Sequence, residues 1–280
     1  MTTTTTSSSP VGELLRSWRW RRRLSQLDLA LAAEVSQRHL SFVESGRAAP
    51  SRDMVLRLAE QLTIPLRERN ALLVAAGFAP VYRERKLDDP ELAAGRRAVE
   101  LILTGHEPHP ALAVDRHWSL VFANRAVAPL LAGVDERLLK PPVNVLRLSL
   151  HPAGLAPRVA NFREWRTHIL ERLARQIDAS ADVRLSELLE ELKGYPVPPA
   201  AWPYRPGAED PLGGVAVPLE LKTEGGTLRF LSTTTVFGTA LDISLSELVI
   251  ETFFPADAET AEAMRRMVGT EAAPSGQPRP

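Results

Sequence analysis

Residues 36–41 bring together side chains that could read the bases of DNA. Ser36 is a good N-cap for a helix, and Gln37, Arg38 and Ser41 would then lie on its first turns. In the major groove, glutamine can form two hydrogen bonds with adenine, and arginine can form two with guanine. The pattern therefore predicts a helix that starts at Ser36 and presents its N-terminal end to base edges.

A second group of residues could support catalysis or bind a metal. Asp115, Arg116 and His117 adjoin one another, and His106 and His109 come shortly before them. The two earlier histidines flank a proline at a spacing that matches no zinc motif, and the chain has no cysteine to complete a structural zinc site. There is also no nucleophile elbow, phosphate-binding glycine loop or dinucleotide fingerprint. We therefore predict no catalytic residue, metal site or cofactor, and interpret Asp115 and Arg116 as a turn between two strands.

The elements that must position the base-reading side chains are helices. Residues 11–78 carry apolar side chains at helical spacing, and Pro65 suits the first turn of a fifth helix. Serines occupy the N-cap positions of the second, third and fourth helices: Ser25, Ser36 and Ser51. The sequence thus predicts an all-α domain of five helices over residues 11–80, after a Thr/Ser-rich disordered tail over residues 1–10.

The stretch 26–45 resembles the helix-turn-helix of the Xre (lambda-repressor-like) family. Small Ala30 stands where the two helices would cross, and Leu40 and Val43 stand at apolar positions of the second helix. The flanking motifs are similar too: Leu24-Ser25-Gln26 and Glu44-Ser45-Gly46-Arg47. The resemblance implies a DNA-binding domain with an internal ion pair between Arg19 and Glu44. We expect a homodimer on a near-palindromic double-stranded operator.

Three residues around the recognition helix are candidates for contacts with the DNA backbone. Gln26 begins the preceding helix, where its amide and the backbone N–H groups suit a phosphate. Arg47 and Arg52 flank the fourth helix, and both are also compatible with being solvated surface charges. Two positions depart from the family pattern, because Arg23 and Glu34 stand where glycine is usual. A left-handed backbone there would cost about 1 kcal/mol.

A second domain is predicted over residues 91–268, after a charged linker over residues 81–90 and before a disordered tail over residues 269–280. Its predicted order is a helix, two short strands, four helical segments, a proline-rich loop, three strands and a terminal helix. The four helical segments and the loop are placed at residues 124–132, 143–150, 157–178, 182–193 and 195–214.

This second domain resembles the ligand-binding domain of the MmyB-like branch of Xre regulators. The resemblance is carried by residues 110–118, by Asn124 and by the C-terminal motif Glu251-Thr252-Phe253-Phe254-Pro255, and residues 67–70 and 76–80 also match that branch. It implies an α+β, PAS-like fold with an antiparallel sheet of about five strands and helices packed on one face. It also implies a small apolar, fatty-acid-like ligand held between the sheet and the helices.

Several large apolar residues could line such a ligand pocket, although residues of this kind also form ordinary cores. The candidates are Phe122, Phe162, Trp165, Phe230 and Phe253. A carboxylate head group would need a cationic partner or a hydrogen-bond donor. The candidates for that role are Arg116, His117 and Arg163.

The distribution of charge separates the two domains. The chain has 34 basic and 34 acidic residues and is neutral overall. Residues 10–83 contain 12 Arg against 7 Asp and Glu, so they carry +5 and the remainder carries −5. This fits a DNA-binding domain followed by one that does not bind DNA. No apolar stretch is long enough to span a membrane, and the absence of cysteine fits a cytoplasmic protein. Two alternatives stay open: a DNA-tethered enzyme, and a C-terminal domain used only for dimerisation or partner binding.

Overall fold

The computed structural model describes residues 10–199, 201, 216–237 and 242–270. Most of the predicted disordered tails and most of the predicted loop at residues 195–214 lie outside the described residues. Pro10, Gly269 and Thr270, which were assigned to the tails, instead belong to helices. Residue contacts divide the chain into two units, and the main boundary lies between Arg85 and Lys86. Two short segments, Asp178–Ala181 and Ala240–Ser246, are grouped with the first unit.

The first unit contains the five predicted helices. They are α1 (Pro10–Arg21), α2 (Gln26–Ala32), α3 (Gln37–Glu44), α4 (Arg52–Gln61) and α5 (Leu66–Ala75). The three predicted N-caps are confirmed, because the side chains of Ser25, Ser36 and Ser51 each accept a hydrogen bond from the backbone N–H three residues later. Satisfying these N–H groups fixes where α2, α3 and α4 begin.

Helices α1 and α3 approach each other closely. A Cβ atom at Gly12 would lie 2.4 Å from the carbonyl oxygen of Val43, so only glycine fits this crossing. Nearby, the buried Arg19 donates to both carboxylate oxygens of Glu44, at 2.7 and 2.8 Å. This confirms the ion pair that the family resemblance implied. The two contacts fix α1 against α3.

The backbone is left-handed at the two positions where the family pattern has glycine. Arg23 has φ 55° and Glu34 has φ 54°, as expected from the sequence. The backbone is also left-handed at Thr63, after α4, with φ 47°. Each of these residues directly follows a helix or its C-cap, where a left-handed residue turns the chain away from the helix axis.

The second unit is built on a five-stranded antiparallel sheet. Its strands are β1 (Ala111–Val114), β2 (Leu120–Ala123), β3 (Leu219–Thr223), β4 (Gly226–Val236) and β5 (Val249–Pro255). In the sheet they lie in the order β2-β1-β5-β4-β3. Two strands precede the helical region and three follow it, so the PAS-like α+β fold predicted from the sequence is confirmed.

The remaining described helices surround this sheet or connect its strands. The α-helices are α6 (Ala93–Gly105), α7 (Val145–Leu150), α8 (Phe162–Ser180), α9 (Val183–Gly194), α10 (Ile243–Ser246) and α11 (Ala258–Thr270). The short 3-10 helices are Pro90–Leu92, Ala128–Leu131, Glu136–Leu139 and Ala156–Arg158. No helix among the described residues is long and apolar enough to cross a membrane.

Helices pack on both faces of the sheet rather than on one. Val99 and Leu103 of α6 share a core with Ala111, Ala113 and Ile250, which lie on one face of β1 and β5. The opposite face belongs to a larger core that includes residues of α7, α8 and α9. Along β1 the side chains alternate between these two cores, because Ala111 and Ala113 belong to the α6 side whereas Leu112 and Val114 belong to the larger core, as the pleat of a β-strand requires.

Two helix predictions need correction. Residues 124–132 form a turn and a 3-10 helix instead of an α-helix, because the buried Asn124 side chain is held by backbone groups of distant residues. Its oxygen accepts from the N–H of Ala111 at 3.1 Å, and its nitrogen donates to the carbonyls of Leu103 and His109 at 3.0 and 2.8 Å. Helix α8 begins at Phe162 rather than at residue 157, since a 3-10 turn occupies the residues before it.

Candidate nucleic-acid interface and ligand cavity

The first turn of α3 presents the predicted base-reading side chains. Gln37 and Arg38 are exposed, and Ser41 is half-buried one turn further along. Ser36 is exposed, and its hydroxyl caps the helix by accepting a hydrogen bond from the N–H of His39 at 3.1 Å. This arrangement suits a helix end inserted into the major groove.

An aromatic side chain that the sequence analysis did not single out lies between two of the predicted DNA-binding arginines. The guanidinium of Arg38 lies 5.4 Å from the centre of the Phe42 ring, and that of Arg47 lies 5.9 Å from it. Cation–π contacts at these distances hold both charges near α3. The spacing of four residues between Arg38 and Phe42 is the sequence signal that could have revealed the first contact.

The remaining predicted DNA-binding residues differ in their surroundings. Gln26 donates from its amide to Glu44 Oε2 at 2.7 Å, so that this side chain joins the buried Arg19–Glu44 pair. Arg52 is exposed at the first turn of α4, directly after the Ser51 N-cap. The side chain of Gln26 is therefore oriented by α3, whereas Arg52 extends into solvent.

A cavity of about 120 Å³ lies within the second unit, between the sheet and the helices α7 and α8. This is several times the volume of about 10–15 Å³ that a single water molecule needs. All five strands, both helices and the 3-10 helix Ala128–Leu131 contribute to its walls. Most lining side chains are apolar, and they include Leu112, Leu120, Leu146, Ile169, Leu221 and Phe230.

Charged and polar side chains lie at one part of the cavity wall. Arg172 of α8 donates to Glu251 of β5 through Nη1, at 3.0 Å from Oε2, and also through Nη2 to Oε1. The same Nη2 donates to Thr234 Oγ1 at 2.7 Å. The guanidinium lies 4.6 Å from the centre of the Trp118 ring. The cavity wall therefore contains an ion pair between a half-buried arginine and a buried glutamate, held by hydrogen bonds and by an aromatic ring.

Three further lining residues add hydrogen-bonding capacity. Trp165 donates from its indole N–H to Ser149 Oγ at 2.8 Å, and its ring stacks on His168 at a centroid distance of 5.5 Å. Burial lowers the pKa of the His168 imidazole, and the positive charges of Arg172 and Arg175 lower it further. The imidazole is therefore neutral near pH 7 and can donate or accept a hydrogen bond.

The structure places only some of the predicted ligand-binding residues at the cavity. Trp165, Phe230 and Phe253 line it. Phe162 is fully buried in the same core but does not line the cavity, and Phe122 packs in the core on the α6 side of the sheet.

The three side chains predicted to contact a head group do not line the cavity. The polar side chains that do line it were not selected in the sequence analysis. Arg163 is exposed, and Arg116 and His117 belong to a separate cluster. The polar lining comes instead from residues on the apolar stripe of α8 and on a central strand. Arg172 stands seven residues after Trp165 and three after Ile169, so helical periodicity is the signal that could have identified it.

The cluster that suggested catalysis joins a strand turn to the start of α9. The carboxylate of Asp115 accepts from the N–H groups of His117 and Ser119, both at 2.8 Å, as expected for a turn. His117 Nε2 lies 2.9 Å from Asp182 Oδ2, and Arg116 lies 3.7 Å from the same atom. Burial acts to raise the pKa of Asp182, but the hydrogen bond with His117 and a backbone N–H keep it below its usual value. Within the described ranges, no group of three His, Cys, Asp or Glu side chains could hold a metal ion.

Comparison with known families agrees with this architecture. Residues 15–69 match a family model described as a helix-turn-helix, and residues 96–267 match one described as the MmyB-like transcription regulator ligand binding domain. A search of curated proteins found no significant match. The two domains together define a DNA-binding transcription regulator with a ligand-binding domain. Because the second match covers more than half of the chain, the chain belongs to the MmyB-like transcription regulators.

Proposed function

We propose that this regulator binds its operator as a homodimer and responds to a small, largely apolar effector of the fatty-acid kind. The effector would have a hydrocarbon chain and one small polar head group. The observation that carries this proposal is the cavity between the sheet and α7–α8, whose wall is apolar apart from one polar region. Burial of a hydrocarbon chain against such a wall contributes about 25 cal/mol per Å² of apolar surface removed from water.

The exposed side chains around α3 support sequence-specific DNA binding. We infer that Gln37 and Arg38 contact base edges and that Ser41 adds a contact one turn further on. Ser36, Gln26 and the arginines at positions 47 and 52 would contact phosphates, which fix the register of the protein on DNA. The excess of +5 in residues 10–83 favours this interaction.

The geometry of helix-turn-helix recognition supports the proposed homodimer. One recognition helix reads only a few base pairs, so two copies related by a two-fold axis would read half-sites about 34–36 Å apart. Because its target is DNA, we expect the protein to act in the cytoplasm and to have a regulatory rather than a catalytic role. The effector would change operator affinity only if it binds one arrangement of the dimer more tightly than another.

Native mass spectrometry of the gently purified full chain tests the effector. We expect a discrete added mass of a few hundred daltons that disappears on denaturation. Leu120 lines the cavity from an edge strand, so Leu120→Trp should fill the cavity and remove the added mass. The matched variant Leu101→Trp, at a side chain that is 68% exposed on α6, should retain it. A wild-type chain with no added mass, and with no binding of added lipid, would favour a domain used only for dimerisation or partner binding.

A further inference from the structure

Phe42 is an aromatic side chain on the outer side of α3. The opposite side of this helix carries Leu40 and Val43, which are fully buried in the core of the first unit. Phe42 is half-buried, and it is not among the described residues that form this core or pack against it. The packing of the domain therefore does not account for an aromatic residue at this position.

The place of Phe42 on the helix is beside the predicted base-reading residues. Residues four apart lie on the same face of an α-helix, so Phe42 follows Arg38 one turn further along. Each residue adds about 1.5 Å to the helix, which separates the two by about 6 Å along the axis. Base pairs of DNA are about 3.4 Å apart. A helix that places Arg38 on one base pair therefore brings Phe42 to a base pair about one or two steps away.

The Phe42 ring lies between two cations that we assign to DNA contacts. The guanidiniums of Arg38 and Arg47 lie 5.4 and 5.9 Å from the centre of the ring. Since Arg38 is assigned to a base edge and Arg47 to a phosphate, DNA that engages both removes water from the ring as well. A polar group pressed against the ring would lose its hydration and gain no hydrogen bond in return. The ring therefore favours DNA that offers it an apolar group.

Thymine is the base that presents an apolar group in the major groove. The edges of guanine, cytosine and adenine carry hydrogen-bond donors and acceptors there, whereas thymine also exposes its C5 methyl group. Phenylalanine is one of the side chains that contact this methyl group in protein–DNA complexes. The chemistry of Phe42 therefore matches a thymine.

We infer that Phe42 is a specificity-determining residue that contacts the C5 methyl group of a thymine, about one or two base pairs from the guanine that Arg38 binds. This inference rests on the proposed role of α3 as the recognition helix, and it specifies a further base of the operator. Helix α3 then selects a guanine and a thymine together, one through hydrogen bonds and the other through apolar contact.

Removal of a single methyl group from DNA tests this contact. The probe is a duplex that the wild-type full chain selects from a random library, with deoxyuridine in place of one thymine at a time. Deoxyuridine keeps the O4 acceptor and the pairing with adenine and lacks only the methyl group. The thymine concerned should lie about one or two base pairs from the position at which Arg38→Ala relaxes the base preference. There we expect the wild type to bind about three- to fivefold more weakly, as expected for one buried methyl group.

The variant Phe42→Ala then assigns the contact to the ring. It should bind the thymine and deoxyuridine duplexes equally well at this position, because the side chain that contacts the methyl group is missing. The ratio of the two affinities within one variant does not depend on an overall loss of DNA binding or of stability. The matched control is Val74→Ala on α5, at a side chain that is 58% exposed, and it should keep the wild-type ratio.

The possible results separate this inference from the proposed function. Weaker binding of the deoxyuridine duplex by the wild type, with no such difference in Phe42→Ala, supports the inference. If no thymine near the Arg38 base pair shows the effect in the wild type, the inference is overturned without any variant. It is also overturned if Phe42→Ala keeps the wild-type ratio, because the ring would then act only by holding the two arginines. In both cases sequence-specific binding through α3 stays in place. A wild type that selects no sequence from the library contradicts the proposed function itself, and the inference fails with it.

Discussion

At the N-terminal turn of α3, Arg38 is exposed and its guanidinium stacks on Phe42. We expect Arg38→Ala to weaken operator binding by about 1–3 kcal/mol and to relax the preference at one base pair, because a bidentate contact with guanine is lost. Binding to a set of single-base operator variants measures both effects. Arg137→Ala, at a side chain that is 85% exposed in the second unit, is the control and should bind like the wild type. Unchanged binding by Arg38→Ala would contradict the assignment of α3 as the recognition helix.

Glu44 combines deep burial with three hydrogen bonds, from Arg19 Nε, Arg19 Nη2 and Gln26. Glu44→Gln would leave the buried Arg19 without a counter-ion. We therefore expect the DNA-binding domain to lose about 3–5 kcal/mol of its free energy of unfolding. Hydrogen exchange of the α1 and α3 amides in the full chain measures this loss. The control, Glu60→Gln on the exposed side of α4, should change it by less than about 0.5 kcal/mol.

Among the elements, the helices of the DNA-binding domain were predictable because their ends are encoded locally. The serine N-caps fix three starts, and the left-handed residues at 23 and 34 fix two ends. The short strand β1 was also predictable, since Ala111–Val114 is an apolar run followed by turn residues. In each case the signal lies within about five residues of the feature that it specifies.

The strain at one of these helix ends can be removed. Glu34 has φ 54° and is exposed, so Glu34→Gly should relieve about 1–2 kcal/mol of steric cost. The greater freedom of glycine in the unfolded chain offsets about 0.5–1 kcal/mol of this gain. We expect a net stabilisation of up to about 1 kcal/mol, measured by hydrogen exchange of the α2 amides, with unchanged operator affinity.

A substitution by glycine inside a regular helix should destabilise the domain instead of stabilising it. Arg57 is exposed in the middle of α4, and Arg57→Gly should destabilise the domain by about 1 kcal/mol. If Glu34→Gly also destabilises the domain, steric strain at residue 34 is not the controlling factor.

Features that depend on distant contacts were not predictable from local patterns. The region at residues 124–132 has helical spacing, but Asn124 bonds to backbone groups 13, 15 and 21 residues earlier, which hold the chain in a turn. Likewise, Arg172 faces the cavity because Glu251, 79 residues later, supplies its counter-ion. A cation on a buried stripe is informative only when its partner is known.

At the scale of the whole molecule, composition and order were more informative than any single residue. The opposite net charges of the two parts of the chain were sufficient to predict the two types of domain. The order of two strands, a helical region and three strands was sufficient to predict the sheet. The position of the cavity was not predictable, because its wall combines side chains from five strands and two helices that only the fold brings together. Of the five large apolar residues predicted to line the cavity, three do so and two pack in the hydrophobic core instead.

Removal of the effector should destabilise the ligand-binding domain. A ligand that binds only the folded state adds about 2.7 kcal/mol when its free concentration is one hundred times its Kd. We therefore expect delipidation of the wild type to lower protection from hydrogen exchange in α8 and β5 by about 2–3 kcal/mol, and re-addition of the extracted lipid to restore it.

In Leu120→Trp, whose cavity would be filled by the indole ring, delipidation should change nothing, because there is no effector to remove. This variant therefore controls for any damage that the delipidation treatment itself causes. If the wild type and Leu120→Trp lose the same protection, the loss comes from the treatment and not from an effector in this cavity. If the wild type loses none although an added mass is removed, the bound molecule lies elsewhere, since a ligand held between the sheet and α8 must stabilise both.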